Sequence, residues 1–580
     1  MTLHYVRWIF FFAAVAAVIV GLILSIPSDK KFATKNSNLL ILLGQLLLLL
    51  AALKINKNFA DHAPAFWLIV PVFLAAAMAR ASFTETEKPV LRLWQLIGSV
   101  SALYALLYYP LMPLTRSSSA SVTIGLYALV LCFWLVSMVC GAMCFRIPSL
   151  SVLPASFLVW SKSSAEYITG LPIRDFIDCM PLSEISVCIG FGLLIGQIYS
   201  RYGGAIYELL GGTNTPTNIE FQRKQFVQLL LLISIGIHLA NYFWSFHAKI
   251  TLDGPPLAWL WENNPVSLFI VEVNNGYIFY SGQEWLVRLV LATLNKTYLL
   301  SNLWILAIQG VAVTAFFLPN RALFIVLLLL DAMHVAIILL AGANFWPWIL
   351  LNVIIAYIVA SRYFVRPSFF IRVLGTTFIL IAPDFVNVTK LGWYDTGAYN
   401  RLFFEAIDDE GRRHAVPTNF FTFYAAPMAL MDYGTPEPET ALATRDETGD
   451  TRNYDLFKAG RSCDMDKLRR VGAKGWDARA GTDGEKLADF VQSYHKLALK
   501  IYSILGAFPY YNFYPHHFYI RKGLTADFDE LDKRRIVAYI YRRESMCFRY
   551  ENGEILRDVK ATAEYRIDVA GDSAGARDGR

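Results

Sequence analysis

Charged residues are scarce in this chain. They make up 17% of its 580 residues, against about 25% in a soluble domain. With 56% of residues hydrophobic and many apolar runs of bilayer-spanning length, a single large soluble core is excluded as the home of them all. Cysteine is rare too. Cys132, Cys140, Cys144 and Cys188 fall in apolar runs, where small buried residues are the expected reading, and no CxxC or Cys/His ligand spacing occurs, so no metal site is expected. His238 and His247 are nine apart on one helix and give no two-histidine metal face. The net charge is only +6, with Lys and Arg scattered among acids, which leaves no nucleic-acid footprint. Also missing are a Ser-His-Asp order, an HExxH and a pair of catalytic carboxylates. Gly192 and Gly196 lack the lysine and preceding strand of a phosphate loop, and their spacing suits close helix packing instead.

What is present is a succession of apolar runs. Those at 8–26, 37–53, 66–82, 91–113 and 122–145 predict a five-helix transmembrane module over residues 1–147. No clear small-residue cleavage site follows the first run, so it reads as a helix rather than a signal peptide. Lysines and arginines fall in loops on both sides of this half, which therefore carries no orientation signal. Residues 148–182, interrupted by Pro154, Pro172 and Pro181, read as a connecting or re-entrant segment. A second transmembrane bundle is expected over 183–389. It contains a helix at 225–247, an interfacial half-helix at 283–298 carrying Arg288 and Lys296, and full helices at 302–318, 321–340, 345–364 and 368–387. Arg223 and Lys224 mark one turn as cytoplasmic, and Arg362, Arg366 and Arg372 mark another.

The chain after Asn387 then falls on the extracytoplasmic side of a plasma or inner membrane. Residues 390–580 are polar and turn-rich. Hairpins are expected around Asp408–Gly411 and at Asn552-Gly553, an amphipathic helix at 484–506, and a flexible linker at 433–455. The fold class is an all-α polytopic membrane helix bundle followed by a C-terminal soluble α+β, β-rich domain. Cys463 and Cys547, the only cysteines of this tail, could form one disulfide in an oxidising compartment. The aromatic run at 510–519 suits either a tail core or a surface for the membrane or a protein partner.

The residues that call for a functional account lie between 226 and 348. An ionisable side chain inside an apolar helix is costly, and function is the first hypothesis for it. Lys249 ends a long apolar helix behind Tyr242, Phe243, Trp244 and Phe246. A lysine moved into low dielectric becomes a usable base. A lysine at a helix end can equally extend to the headgroups. Asp331 and His334 are three apart and share a helix face, which suits proton transfer or a polar pair that locks helix packing. Phe345, Trp346, Pro347 and Trp348 form an aromatic turn at the start of the next helix. With Trp244 and Trp259, Trp346 and Trp348 are the candidate pocket walls.

Three segments carry a family resemblance. They are DCMPLSEISVCIGFGLLIGQI, YFWSFHAKITLDGPPLAWLW and LDAMHVAIILLAGANFWPWILL, within residues 175–390. Their order and composition resemble the vitamin K-dependent gamma-carboxylase-like, or HTTM, membrane proteins. The resemblance implies that Lys249 matches the base that deprotonates reduced vitamin K. It implies that His334 matches a pocket-lining or structural histidine, that a reduced quinone is the cofactor, and that an extracytoplasmic β-rich tail follows. Met333 stands where the family has phenylalanine, Gln309 where a glutamate is expected, and the five leading helices are additional. Two expectations of different class follow. One is a carboxylase-like enzyme using Lys249 on a lipid-soluble quinol. The other is a non-catalytic membrane scaffold or transporter component.

Overall fold

The computed structural model describes residues 30–569 except 64, 108–119, 170–177, 210–215, 362–363, 426–427, 429–436, 438–440, 443–449, 469, 471–483 and 506–523. The expected helix at 8–26, Pro172, Arg362, the aromatic run at 510–519 and most of the 433–455 linker lie outside the described residues. Helices come first: α1 Lys30–His62, α2 Phe66–Met78, α3 Lys88–Leu107, α4 Ala120–Met143, α5 Val152–Thr169, α6 Met180–Leu209 and α7 Pro216–Ile250. After them run α8 Ala258–Glu262, α9 Pro265–Asn275, α10 Glu284–Val311, α11 Asn320–Ala341, α12 Trp346–Ala360 and α13 Phe369–Ile381. Six of the described helical segments are long and apolar enough to cross a membrane: Asn38–Ala60, Glu85–Leu107, Met180–Ala205, Asn218–Ile250, Glu284–Phe317 and Asn320–Ala341. The apolar stretch of Asn218–Ile250 is 89% buried, against 33% for Asn320–Ala341, which makes α7 the axis of the bundle.

Several segments differ from the sequence reading: the runs expected as spanning helices at 66–82, 345–364 and 368–387 form helices of only 13, 15 and 13 residues, and two further segments are organised differently. Residues 283–298 are not a separate half-helix. They are the first half of α10, which runs unbroken from Glu284 to Val311 because no proline or glycine interrupts it before Gly310. Arg288 does not end the helix; it reaches back to Glu284 on the exposed face at 2.5 Å. Within 148–182, Val152–Thr169 is an 18-residue helix rather than a broken connection. Pro154 and Pro181 fall in the first turns of α5 and α6, where a missing amide costs nothing.

The turn before α5 lies inside the bundle, against α3. Its polar backbone is satisfied by side chains, as burial requires. Gln95 donates to the carbonyls of Cys144 and Phe145, each at 3.3 Å, and Ser186 donates to that of Ser151 at 3.3 Å.

The tail consists of β1 Tyr394–Asp395, β2 Ala398–Asp408, β3 Arg413–Val416, β4 Asp450–Thr451, α14 Tyr454–Ser462, α15 Gly484–Leu505, α16 Ala526–Glu530, β5 Ile536–Glu551 and β6 Glu554–Asp568. Four strands form an antiparallel sheet in the order β3-β2-β5-β6, and β1 pairs with β4. Both expected hairpins are present. The β5–β6 turn places Asn552 and Gly553 at φ 53° and 86°, the left-handed region this dipeptide favours. One sheet face carries Leu402, Phe404, Tyr539 and Tyr541 into a core shared with Trp67, Tyr104, Phe157 and Trp160 of the helices. Residues of the sheet and of α2, α3 and α5 thus contribute to one apolar core. Its other face carries an ion-pair ladder of Arg413, Glu405, Arg542 and Glu564. Cys463 and Cys547 form a disulfide, with Cα atoms 5.9 Å apart.

Candidate functional site

One face of α7 carries a polar stripe at helical spacing: His238, Asn241, Tyr242, Ser245 and Lys249. Its lower part meets α11 and α12. Nε2 of His238 lies 2.9 Å from Oδ1 of Asn352. The Asn352 amide donates to the Tyr242 hydroxyl and to Oδ1 of Asp331, each at 2.8 Å. With both amide donors so used, Asn352 accepts from His238, which fixes the neutral imidazole as the Nε2–H tautomer. His334 packs by its ring against Tyr242, Phe345 and Trp348, with centroids 5.7, 5.5 and 5.6 Å away. Trp348 also stands edge-on to His238 at 5.3 Å. Asp331 takes its hydrogen bond from Asn352 of the facing helix rather than from His334 on its own helix. Nδ1 of both histidines is buried without a hydrogen-bond partner.

The upper part of the stripe meets the extended chain that leads into the sheet. Asn241 accepts from the Thr389 amide at 2.8 Å, Ser245 from the Leu391 amide at 3.1 Å, and Lys249 donates to the Leu391 carbonyl at 2.5 Å. Three residues four apart thus hold the backbone of residues 389–391. The contact is close enough that a Cβ on Gly392 would stand 2.7 Å from the Ala248 carbonyl carbon. Lys249 is half-buried, with its ammonium 5.5 Å from the Trp259 ring centroid, and the Trp259 indole donates to the Trp393 carbonyl at 2.8 Å. Of the three ammonium donors, one has an acceptor.

Asp395 is the carboxylate that acts on Lys249. Asn263 holds it twice, donating to its side chain and accepting from its amide, both at 2.7 Å. Burial pushes the Asp395 carboxyl up to about 6, against the hydrogen bonds of Asn263 and Trp393 and the charge of Lys249, which pull it down. A carboxyl that binds its proton more tightly when folded favours the folded state at low pH. That contribution is complete below the ordinary value of 3.8 and is lost as pH rises to about 6. Asp395→Asn is therefore expected to stabilise the protein above pH 6, by on the order of 2–3 kcal/mol, with no gain below pH 4. Thermal melts of both proteins across this range check it. A variant less stable than the parent at pH 7 would mean that the Lys249 attraction outweighs burial.

The candidate residues thus fall into separate groups. Asp331, His334 and Trp348 join His238, Tyr242 and Asn352. Lys249 and Trp259 join Asp395 and Asn263, and the two groups have no neighbour in common among these contacts. Trp244 donates to the Ile379 carbonyl at 3.1 Å and lies under Lys390. Trp346 turns away from Trp348 and stands edge-on to Tyr104 at 5.6 Å. That ring opens a polar centre the sequence reading missed. Lys162 and Asp178, 3% and 1% exposed, pair at 3.3 Å, and Tyr104 donates to Asp178 and accepts from Lys162. A lysine inside the apolar run of α5 was the available signal; Asn352 within α12 was another. Among the described residues no cluster of three or more His, Cys, Asp or Glu could hold a metal. No family profile, curated protein or solved structure matches the chain.

Proposed function

We propose that the chain is a multi-pass membrane protein in which Lys249 acts as a base on the acidic hydroxyl of a lipid-soluble quinol, as the gamma-carboxylase-like resemblance implies. The observation that carries this reading is the Lys249 amine itself. It stands at the end of an apolar helix, beside an indole face, with unused donors and a carboxylate nearby. In the step proposed, the neutral amine takes the hydroxyl proton. A phenolate and an ammonium result, with the Asp395 carboxylate nearby. Trp259 supplies a flat apolar wall suited to a ring. The histidine–asparagine centre about three turns below on α7 holds α7, α11 and α12 in register. The reading predicts that the protein purified in mild detergent carries a quinone or quinol, seen by mass spectrometry of the extracted lipids. Preparations that consistently contain only phospholipid would count against it.

The same reading puts Lys249 and the tail on the extracytoplasmic side. Arg366 donates to the Phe317 carbonyl at 3.0 Å, so the turns after α10 and α12 share one end of the bundle, opposite the tail. The disulfide fits an oxidising compartment. A reporter fused after Trp393 that reads as cytoplasmic would reverse this orientation.

A second reading is favoured by the backbone ladder of Asn241, Ser245 and Lys249. In it Lys249 is the last rung that docks the sheet on the bundle, and the protein is a scaffold.

A further inference from the structure

The Lys249 site has an outer wall made by one short stretch, residues 450–463. Two residues of β4 pair with β1 directly over Asp395, in the register Asp395↔Asp450 and Tyr394↔Thr451. Asn453 caps α14 by accepting from the Leu456 amide at 3.0 Å. Phe457 stacks on Tyr394 at 4.5 Å and joins Trp259, the wall of Lys249, in one apolar cluster. Gly460 sits tightly against the residue after β1, since a Cβ there would lie 2.8 Å from that of Thr396.

The polar side-chain contacts that hold this stretch to α8 and the turn before it fall on Glu262 and on Asp253, whose carboxylate accepts from the Tyr454 amide at 3.5 Å. Glu262 of α8 accepts from the Tyr454 hydroxyl at 2.5 Å and pairs with Lys458. Both partners are partly open to solvent, with Glu262 23% and Lys458 43% exposed. The far end is fastened differently. Cys463 follows α14 and is bonded to Cys547 in the middle of the sheet. The stretch is thus pinned covalently at one end, and at the other by the partly buried Glu262, by Asp253 and by the two-residue β1–β4 pairing. Nine helical residues are too few to persist alone, so α14 keeps its form only while docked.

We infer that residues 450–463 are a cover over the Lys249 site, latched on Glu262 and hinged at the Cys463–Cys547 disulfide. The inference rests on Lys249 being the working site of the proposed function. Opening lifts Phe457 and Tyr454 away from Tyr394 and Trp259 and brings Lys249 and Asp395 into contact with solvent. A base that must receive a hydroxyl compound and afterwards release its proton needs such an opening. The disulfide keeps the displaced stretch within reach for reclosure.

The test reads the amine directly, in the full-length protein. Reductive methylation with formaldehyde and cyanoborohydride is followed at Lys249 by peptide mass spectrometry, with exposed Lys390 as the internal standard. In the parent, Lys249 should react far more slowly than Lys390. Glu262→Ala removes both latch contacts and should speed Lys249 by about tenfold, the worth of one charged hydrogen bond in the opening equilibrium, while Lys390 stays unchanged. Cys463→Ser with Cys547→Ser should speed it further. Equal Lys249 rates in the parent and Glu262→Ala overturn the cover. If Glu262→Ala does not fold, hydrogen exchange of the unaltered protein decides. A cover requires amides 456–463 to exchange faster than those of β5, and equal protection overturns it. Methylation does not depend on any quinol, so its outcome and the outcome of the lipid analysis are independent. Faster labelling in Glu262→Ala without bound quinone keeps the cover and removes the proposed substrate.

Discussion

Lys249→Arg is expected to lower turnover of a reduced quinone by about 10²–10⁴-fold, the usual loss when a positioned general base is removed, while the melting temperature stays close to that of the parent. Arginine can donate to the Leu391 carbonyl and keep a positive charge near Asp395, so the docking of the sheet is preserved. It cannot release its proton, so it cannot act as a base. Lys249→Met separates the two readings from the other direction. It removes the base and the rung together, and should lose both turnover and stability. A scaffold rung predicts a different pattern, in which arginine is silent in every assay and methionine is destabilising. Quinol consumption in detergent and a thermal melt on the same samples give the answer. Full turnover in Lys249→Arg would end the base reading.

The second large effect concerns stability. Lys162→Met is expected to cost about 3–5 kcal/mol, because it leaves the Asp178 carboxylate buried opposite an apolar side chain. The pair is nearly inaccessible, and the Tyr104 hydroxyl is arranged to serve both charges. Adding Asp178→Asn should recover much of the loss. It removes the negative charge but leaves an oxygen to accept from Tyr104. Denaturation of the three proteins under one set of detergent conditions measures this, and the non-additivity of the pair is the diagnostic quantity. Additive losses, or a single variant within about 1 kcal/mol of the parent, would place the pair in contact with water.

By themselves, the residues determined the elements and several of their ends. Apolar run length determined the helices, since a run of bilayer length has few other stable forms. The Asn552-Gly553 turn was legible because its left-handed backbone admits few other residues. Lys249, Asp331, His334 and the FWPW turn stood out because they break an apolar pattern. Residues 283–298, read as a separate short piece, are part of one helix that continues to Val311, with Arg288 and Glu284 on its exposed face.

What joins to what was decided by tertiary structure alone. Trp346 and Trp348 are two apart, so a helix must point them apart. Only the packing of α12 sends one to Tyr104 and the other to His238 and His334. Asp331 shares a helix face with His334 yet is satisfied by Asn352, because a donor from the facing helix reaches it. Lys249 meets Leu391 across a separation of 142 residues, and Asp395 comes beside it only because the sheet docks on the end of α7. Local propensity and periodicity act over a few residues along the chain. The pairing of polar groups brought together across the bundle depends on which helices pack, in what order and at what depth, and no local pattern encodes that.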